Sequence, residues 1–335
     1  MHTRPAPRQR RDLAPAPRGA AANAGATLAS FRHSPRALAE RAQIAGSFGG
    51  PGGAKAPIQR KYLLPEDQAA AIAQLRARYP QITLSPHSKG YETMDAFWEK
   101  HVAAGGRADG ALASAIDRML GDVLDDKERT GKISVLVVGS AEQVNLVVDV
   151  AEVMVVNQIL QAEGGKLKVK IESVTAKGRG KRLFARGLLP LYQSLGVRKL
   201  ELDASSIGSK DDGRYAWARY GFLPGEADWN TMRQAGRERV KKGYFLFPDA
   251  LDKKMLGILE SPSPRALREL ILLSWQEGDR VTRILNGMLV VLKSWKGTLD
   301  LEDERDRRWI EMYTGEEDKA RLRELIPAFQ KLAGP

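Results

Sequence analysis

The stretch that most constrains the fold runs from Ile133 to Ala204, where the hydrophobic period switches from strand to helix and back. ISVLVVG (133–139) is a short apolar run of the buried-strand type. From Val144 to Thr175 the chain is rich in β-branched residues, and Glu163-Gly164-Gly165 separates VMVVNQILQ from KLKVKIESV as a hairpin turn would. In KLKVKIESV, Leu167, Val169 and Ile171 alternate with Lys168, Lys170 and Glu172, so one face is apolar and the other is wet or lines a cleft. Phe184, Leu188, Leu191 and Leu195 then recur at helical spacing and stop at Gly196. VRKLELDA (197–204) is the next strand. Strand, glycine turn, amphipathic helix and strand together predict one right-handed crossover unit.

The glycine turn itself, VTAKGRGKRLF (174–184), admits three readings. A P-loop needs GxxxxGK[ST], a spacing this stretch does not have. A dinucleotide fingerprint needs G-x-G-x-x-G and an acid about 20 residues on. Gly178 and Gly180 fit that pattern and Asp203 ends the following strand, but Leu183 stands at the third glycine and no further βαβ unit follows. The third reading is a backbone cradle for a phosphate-bearing cofactor. Successive backbone N–H groups and a helix N-terminus would grip the phosphates there, and glycine lets the backbone approach them closely.

Thr175-Ala176-Lys177-Gly178-Arg179-Gly180 resembles the [QR]-x-x-G-x-[GA] loop of the GNAT superfamily of acyl-CoA-dependent N-acetyltransferases, with Thr175 in place of the usual Gln or Arg. GRYAWARYGF (213–222) resembles the short helix and Gly-Phe ending found after the next strand in that superfamily. The form G-x-Y-x-W-x-R-x-G-F, together with WKGTLDL (295–301), resembles acetyltransferase-like domains of bacterial polymorphic toxins. The resemblance covers about residues 130–250, with its specific motifs within 167–222. It implies a mixed α/β (α+β) fold: a mostly antiparallel sheet with flanking helices. It also implies acetyl-CoA as co-substrate, gripped by Val174, Ala176, Lys177, Gly178, Arg179, Gly180, Lys181 and Arg182, with Ser205 at the end of the next strand.

In such a site an amine attacks the thioester directly, a base takes the amine proton, and an acid protonates the departing thiolate. The superfamily commonly supplies that acid as the tyrosine four residues before the final glycine. Here that position holds Trp217, which has no proton to give at a useful pKa. Tyr215 and Tyr220 are the nearest tyrosines in sequence, and Ser205 and Ser206 follow the strand; solvent could also protonate the thiolate. Glu172, on the wet face of its strand, is the expected base, with Glu152 and Asp149 behind it. Each carboxylate also fits a plain role as a solvated strand charge among lysines. A domain that binds CoA or another anionic partner without turnover is the alternative, and dinucleotide binding stands third.

The flanks are read by pattern. Residues 62–131 read as helical: PEDQAAAIAQLRARY starts like a helix, and Met94, Phe97, Trp98 and His101 share one face. His101 reads as a satisfied core histidine. By the resemblance, residues 132–250 are expected to be the GNAT-like acyl-CoA-binding domain. Residues 251–335 read as a helical extension interrupted by an irregular WKGTLDLEDE segment (295–304).

The net charge of +12 is concentrated in residues 1–61, which hold eleven Lys/Arg against two acids. That segment is rich in Pro, Gly, Ala and Arg, and is expected to be a disordered basic tail. It is too polar for a secretory signal, so synthesis in the cytoplasm without a signal peptide is the expectation. On composition it is a solvated linker. A steeply salt-dependent affinity for nucleic acid through the tail is a further possibility. Ser34-Pro35-Arg36-Ala37, Ala39, Arg41-Ala42-Gln43 and Pro57-Ile58-Gln59-Arg60-Lys61 resemble the N-terminal segments of cargo proteins of bacterial contractile injection systems. That resemblance implies an effector or toxin loaded into a contractile injection particle through residues 31–61 and exported to a target cell. Its acceptor would be an unknown macromolecule, a protein or an aminoacyl-tRNA. The chain has no cysteine, its four histidines form no ligand cluster, and no apolar run reaches the roughly 20 residues of a membrane span.

Overall fold

The computed structural model describes residues 66–84, 94, 96–98, 100–101, 111–205, 213–243, 249–316 and 318–333. The basic tail and its 31–61 motif lie outside them, as does Ser206. The chain divides into residues 1–61 and a second unit, 62–335.

The second unit is built on one eight-stranded sheet, in the order β1 (Ile82–Leu84), β2 (Ile133–Gly139), β3 (Gln143–Val150), β4 (Met154–Glu163), β5 (Lys166–Ala176), β6 (Val197–Ser205), β8 (Ser294–Asp300) and β7 (Leu223–Pro224). Only β1/β2 and β5/β6 pair in parallel; the other neighbours are antiparallel. The mixed, mostly antiparallel α/β architecture expected from the sequence is therefore present. The hairpin at Gly164-Gly165 joins β4 to β5, and the crossover places β6 beside β5. Among the described residues no helix is long and apolar enough to cross a membrane.

The helices α1 (Glu66–Arg78), α2 (Ala111–Leu120) and α3 (Asp126–Arg129) precede β2, and the described residues within 94–101 are helical as well. The 62–131 region is thus not helical throughout: Ile82–Leu84 forms β1, three residues that carry too little pattern to be read alone. His101 is held as expected, with Nε2 2.8 Å from the Ala141 carbonyl and its ring 5.2 Å from that of Phe97.

After β5 the chain runs without a break through α4 (Gly180–Leu183), a π turn (Phe184–Leu188) and α5 (Leu189–Leu195). Pro190 has no N–H to bond the Arg186 carbonyl, and Leu189 N–H donates to Phe184 O, five residues back, which widens that turn. Phe184, Leu188, Leu191 and Leu195 are all buried, as their spacing requires. Gly187 sits in the wide turn, and α2 comes close enough that a Cβ there would meet the Met119 carbonyl oxygen at 2.5 Å. One face of β2–β5, including Val135, Val148, Val156 and Val169, is buried in the same core as Ile116, Met119 and Leu188.

The C-terminal region adds α6 (Gly213–Arg219), α7 (Glu226–Lys241), α8 (Asp249–Glu260), α9 (Ala266–Glu277), α10 (Asp279–Leu289), α11 (Glu304–Gly315), α12 (Lys319–Glu324) and α13 (Ile326–Ala333). The segment read as irregular is a strand for most of its length. In β8, Trp295, Gly297 and Leu299 are buried and alternate with Lys296, Thr298 and Asp300. β8 pairs with β6 from Lys199↔Asp300 to Ser205↔Ser294, and β7 pairs with its other edge. Residues 251–335 thus supply an interior strand of the sheet as well as helices.

Candidate functional site

Strands β5 and β6 pair only from Leu167↔Val197 to Ile171↔Leu202. Both continue past that point, β5 bonded to β4 as far as Ala176 and β6 bonded to β8 as far as Ser205. The facing edges of 172–176 and 203–205 are therefore not bonded to each other, and the sheet opens between them. A bulge sits where the opening begins: Asn157 pairs with Ser173 and Gln158 with Ile171, so Glu172 is the extra residue. The bulge reverses the alternation, and Val174 and Ala176 return to the core side while Thr175 is exposed.

Glu172 stands at the mouth of this opening with Lys170, whose Nζ lies 2.8 Å from Glu172 and 3.3 Å from Asp203. The hydrogen bond that Lys170 donates to Glu172, then the Glu172 charge and the hydrogen bond and charge of Asp203, hold the Lys170 ammonium above its ordinary pKa against partial desolvation. Lys170 therefore straps the two strand edges together on the wet face. Asp149 lies on β3 opposite Val155. Glu152 is on the β3–β4 turn and is the one non-glycine with positive φ among the described residues, at 65°. Its neighbour Val153 accepts from Lys177 N–H at 3.3 Å, so this turn lies beside the glycine loop.

The loop is shaped by Gly178, whose φ of +71° is left-handed and unfavourable for other residues. Arg179 N–H closes the turn on the Ala176 carbonyl at 3.3 Å, and Leu183 N–H bonds Arg179 O at 2.9 Å. The N–H groups of Gly180, Lys181 and Arg182 are then the first-turn donors with no intrahelical acceptor, at the positive end of the helix.

The cationic side chains expected at this spot are turned to other work. Arg179 pairs with Glu128 and lies 3.7 Å from Asp125, the two residues that form the α3 capping box. Lys181 Nζ donates to the Glu316 carbonyl at 2.6 Å and lies 4.2 Å above the Tyr313 ring. Arg182 donates to the Asp122 carbonyl at 3.2 and 3.3 Å. Lys177 is exposed. What the turn offers an anion is mainly backbone.

The aromatic ending after β6 closes over the same helix start. Tyr220 packs on Phe184 at 4.7 Å and against Tyr313 at 5.1 Å, and Trp217 meets Phe184 edge-on at 5.8 Å. A Cβ on Gly180 would lie 2.8 Å from the Tyr220 hydroxyl oxygen. Burial, with Tyr313 adding, pushes the Tyr220 phenol well above its usual pKa. Tyr215 is drawn elsewhere: its hydroxyl is 3.1 Å from Ser274 Oγ on α9, and Arg219 covers its ring at 4.9 Å. The structure thus brings Gly178–Arg182 and Tyr220 together, holds Glu172 at the sheet opening, and turns Tyr215 away. The backbone of Ser205 ends β6 on the far side of the opening.

Comparison with protein-family models, characterised proteins and solved structures finds no match. The site has to be judged on its own geometry. Among the described residues no group of His, Asp or Glu is placed to hold a metal ion. A depression of about 400 Å³ between α8 and α9 is lined by Lys254, Ser261, Arg265 and Glu269, none of them part of this loop.

The sequence reading missed the support supplied by the C-terminal helices. Arg268 is fully buried; its Nη2 donates to Gly221 O at 2.7 Å and its Nη1 lies 2.9 Å from Asp306. Trp309 Nε1 donates to Arg219 O at 3.0 Å. Trp309 and Tyr313 lie at i, i+4 on α11, an aromatic spacing that marks an inward face. Gly221 has φ +92°, and a Cβ there would stand 2.4 Å from Trp309 Cδ1. Gly221→Ala is expected to lower stability by about 2 kcal/mol, combining backbone strain and overpacking, as measured by urea unfolding.

Proposed function

We propose that this protein binds an acyl-coenzyme A where β5 and β6 part, and transfers its acyl group to an amine of a macromolecular target. The observation that carries this reading is the juxtaposition of two unpaired parallel strand edges with a left-handed glycine turn at a helix N-terminus. An extended ligand rich in amides can satisfy the strand edges. Its pyrophosphate would then meet the N–H groups of Gly180 to Arg182. Acetyl-CoA is the expected donor, and Val174, Ala176 and Ser205 border the opening.

In the transfer, the amine nitrogen bonds the thioester carbonyl carbon and the C–S bond breaks. Glu172, freed from Lys170, takes the amine proton, and solvent protonates the thiolate. By the tail resemblance the protein is an effector or toxin, made in the bacterial cytoplasm and exported in a contractile injection particle engaged through residues 31–61. Its acceptor is a protein amine or an aminoacyl-tRNA.

A second reading keeps the cradle and drops the chemistry: a GNAT-like module that grips CoA or another anion. Trp217 at the usual acid position and the ion pair that occupies Glu172 favour it. Calorimetric titration of the full chain with acetyl-CoA, followed by mass spectrometry of a susceptible lysate, separates the two. Binding with acetylated protein or tRNA supports transfer; binding without modification selects the module; no binding overturns both.

A further inference from the structure

We infer that Tyr220 is a ligand-binding residue: its hydroxyl donates a hydrogen bond to the diphosphate of the acyl donor, beside the N–H groups of Gly180 to Arg182. The inference rests on the acyl-CoA reading above and gives one of its residues a different task from proton donation.

Two observations converge. The helix that begins at Gly180 continues unbroken to Leu195, so its first-turn N–H groups sit at the end of a full helix dipole. Tyr220 is only 9 % exposed, and its hydroxyl makes no hydrogen bond among the described residues while not being one of the fully buried unpaired atoms, so the oxygen keeps a path to solvent. That hydroxyl stands where the missing Gly180 side chain would be, 2.8 Å from a Cβ built there. The ring is held on Phe184, Trp217 and Tyr313, which fixes where the oxygen points. Phenylalanine would fill the same aromatic cage without a polar atom, so a hydroxyl kept at the open edge of an otherwise buried ring needs a reason. An anion seated on the helix start supplies one.

Position also argues against Tyr220 as the acid. In a coenzyme A thioester the sulfur and the diphosphate lie at opposite ends of the pantetheine arm. A hydroxyl beside the diphosphate cradle is therefore remote from the departing thiolate. Burial raises the phenol's pKa, which keeps the O–H as a hydrogen-bond donor at working pH. The neighbouring cations do not supply this role, since Arg179, Lys181 and Arg182 reach to Glu128, Glu316 and Asp122.

The test is Tyr220→Phe in the full chain, which keeps the ring packing. Coenzyme A and inorganic pyrophosphate are titrated into both proteins, and urea unfolding confirms an unchanged fold. The variant should bind both ligands about tenfold more weakly, the loss expected for one hydrogen bond to a charged acceptor. If transfer is observed, KM for the donor should rise with kcat unchanged. Native-like affinity of the variant for both ligands, or a fall in kcat alone, overturns the inference and leaves the acyl-CoA reading standing. Tyr220-dependent binding of pyrophosphate without binding of coenzyme A removes the acyl-CoA reading and keeps the anion contact. If neither ligand binds the native protein, both fall.

Discussion

Arg268→Ala is expected to lower the unfolding free energy by about 3 kcal/mol, near the low end for breaking a buried ion pair. Arg268 has no exposed surface, and burial pulls its guanidinium below its usual pKa while Asp306 opposes the shift. Its charge is balanced by Asp306 at 2.9 Å, its Nη2 is bonded to Gly221 O, and its plane lies 5.1 Å from the Trp309 ring centroid. Truncation would leave a cavity, an unpaired Gly221 carbonyl and a buried Asp306. Arg265, 3.1 Å from Asp306, still faces that carboxylate and limits the loss. Removing the acid as well, in Arg268→Met with Asp306→Leu, should cost less than Arg268→Ala alone, because no charge is then stranded. Urea midpoints at constant m-value measure both. An Arg268→Ala protein as stable as the native one would show that the cluster does not hold the Gly221 turn. The effect matters for the site because Gly221 follows Tyr220, so the arginine fixes the residue that faces the glycine loop.

Gly180→Glu should weaken coenzyme A binding by about a hundredfold or more, since placing like charges together costs several kcal/mol. The new Cβ would be 2.8 Å from the Tyr220 oxygen, and that ring is packed on three sides and cannot simply swing away. The new carboxylate would also occupy the positive end of the helix, where the pyrophosphate is proposed to bind. That same charge favours the helix start, so the variant should remain folded even as it loses affinity. Calorimetry for binding and thermal unfolding for stability keep the two effects apart. Equal binding by the variant and the native chain would remove the glycine loop from the proposal.

How legible all this is from the sequence varies by element, for physical reasons. The β4–β5 hairpin, the turn at Gly178 and the helix that follows are local features. Period-two and period-3.6 patterns with glycine punctuation suffice to place them. β8 carried the same signal, with Trp295 and Leu299 alternating with polar residues, but Gly297 broke the apolar series. In the fold that glycine makes room for its sheet partner: a Cβ there would sit 2.9 Å from Leu202 Cδ1. The bulge at Glu172 left no trace, because no glycine or other special residue marks it. The partners of Arg179, Lys181 and Arg182 lie more than fifty residues away in sequence, beyond any local pattern. Arg268 escaped notice for a related reason. A charged residue in an apolar helix reads as solvent-facing until its counter-charge, here on α11, is known.

The placement of β8 has a consequence for how the molecule comes into being. β6 acquires its outer neighbour, and β7 its bonded one among the described residues, from a strand that begins at Ser294. Until the ribosome has released β8, the outer edge of β6 is unpaired, the kind of edge that recruits strands from other molecules. Pairing across such a sequence separation also closes late and slowly. A nascent chain, or one clipped before Ser294, would therefore be hazardous to itself, and the arrival of β8 is the step that makes the sheet safe.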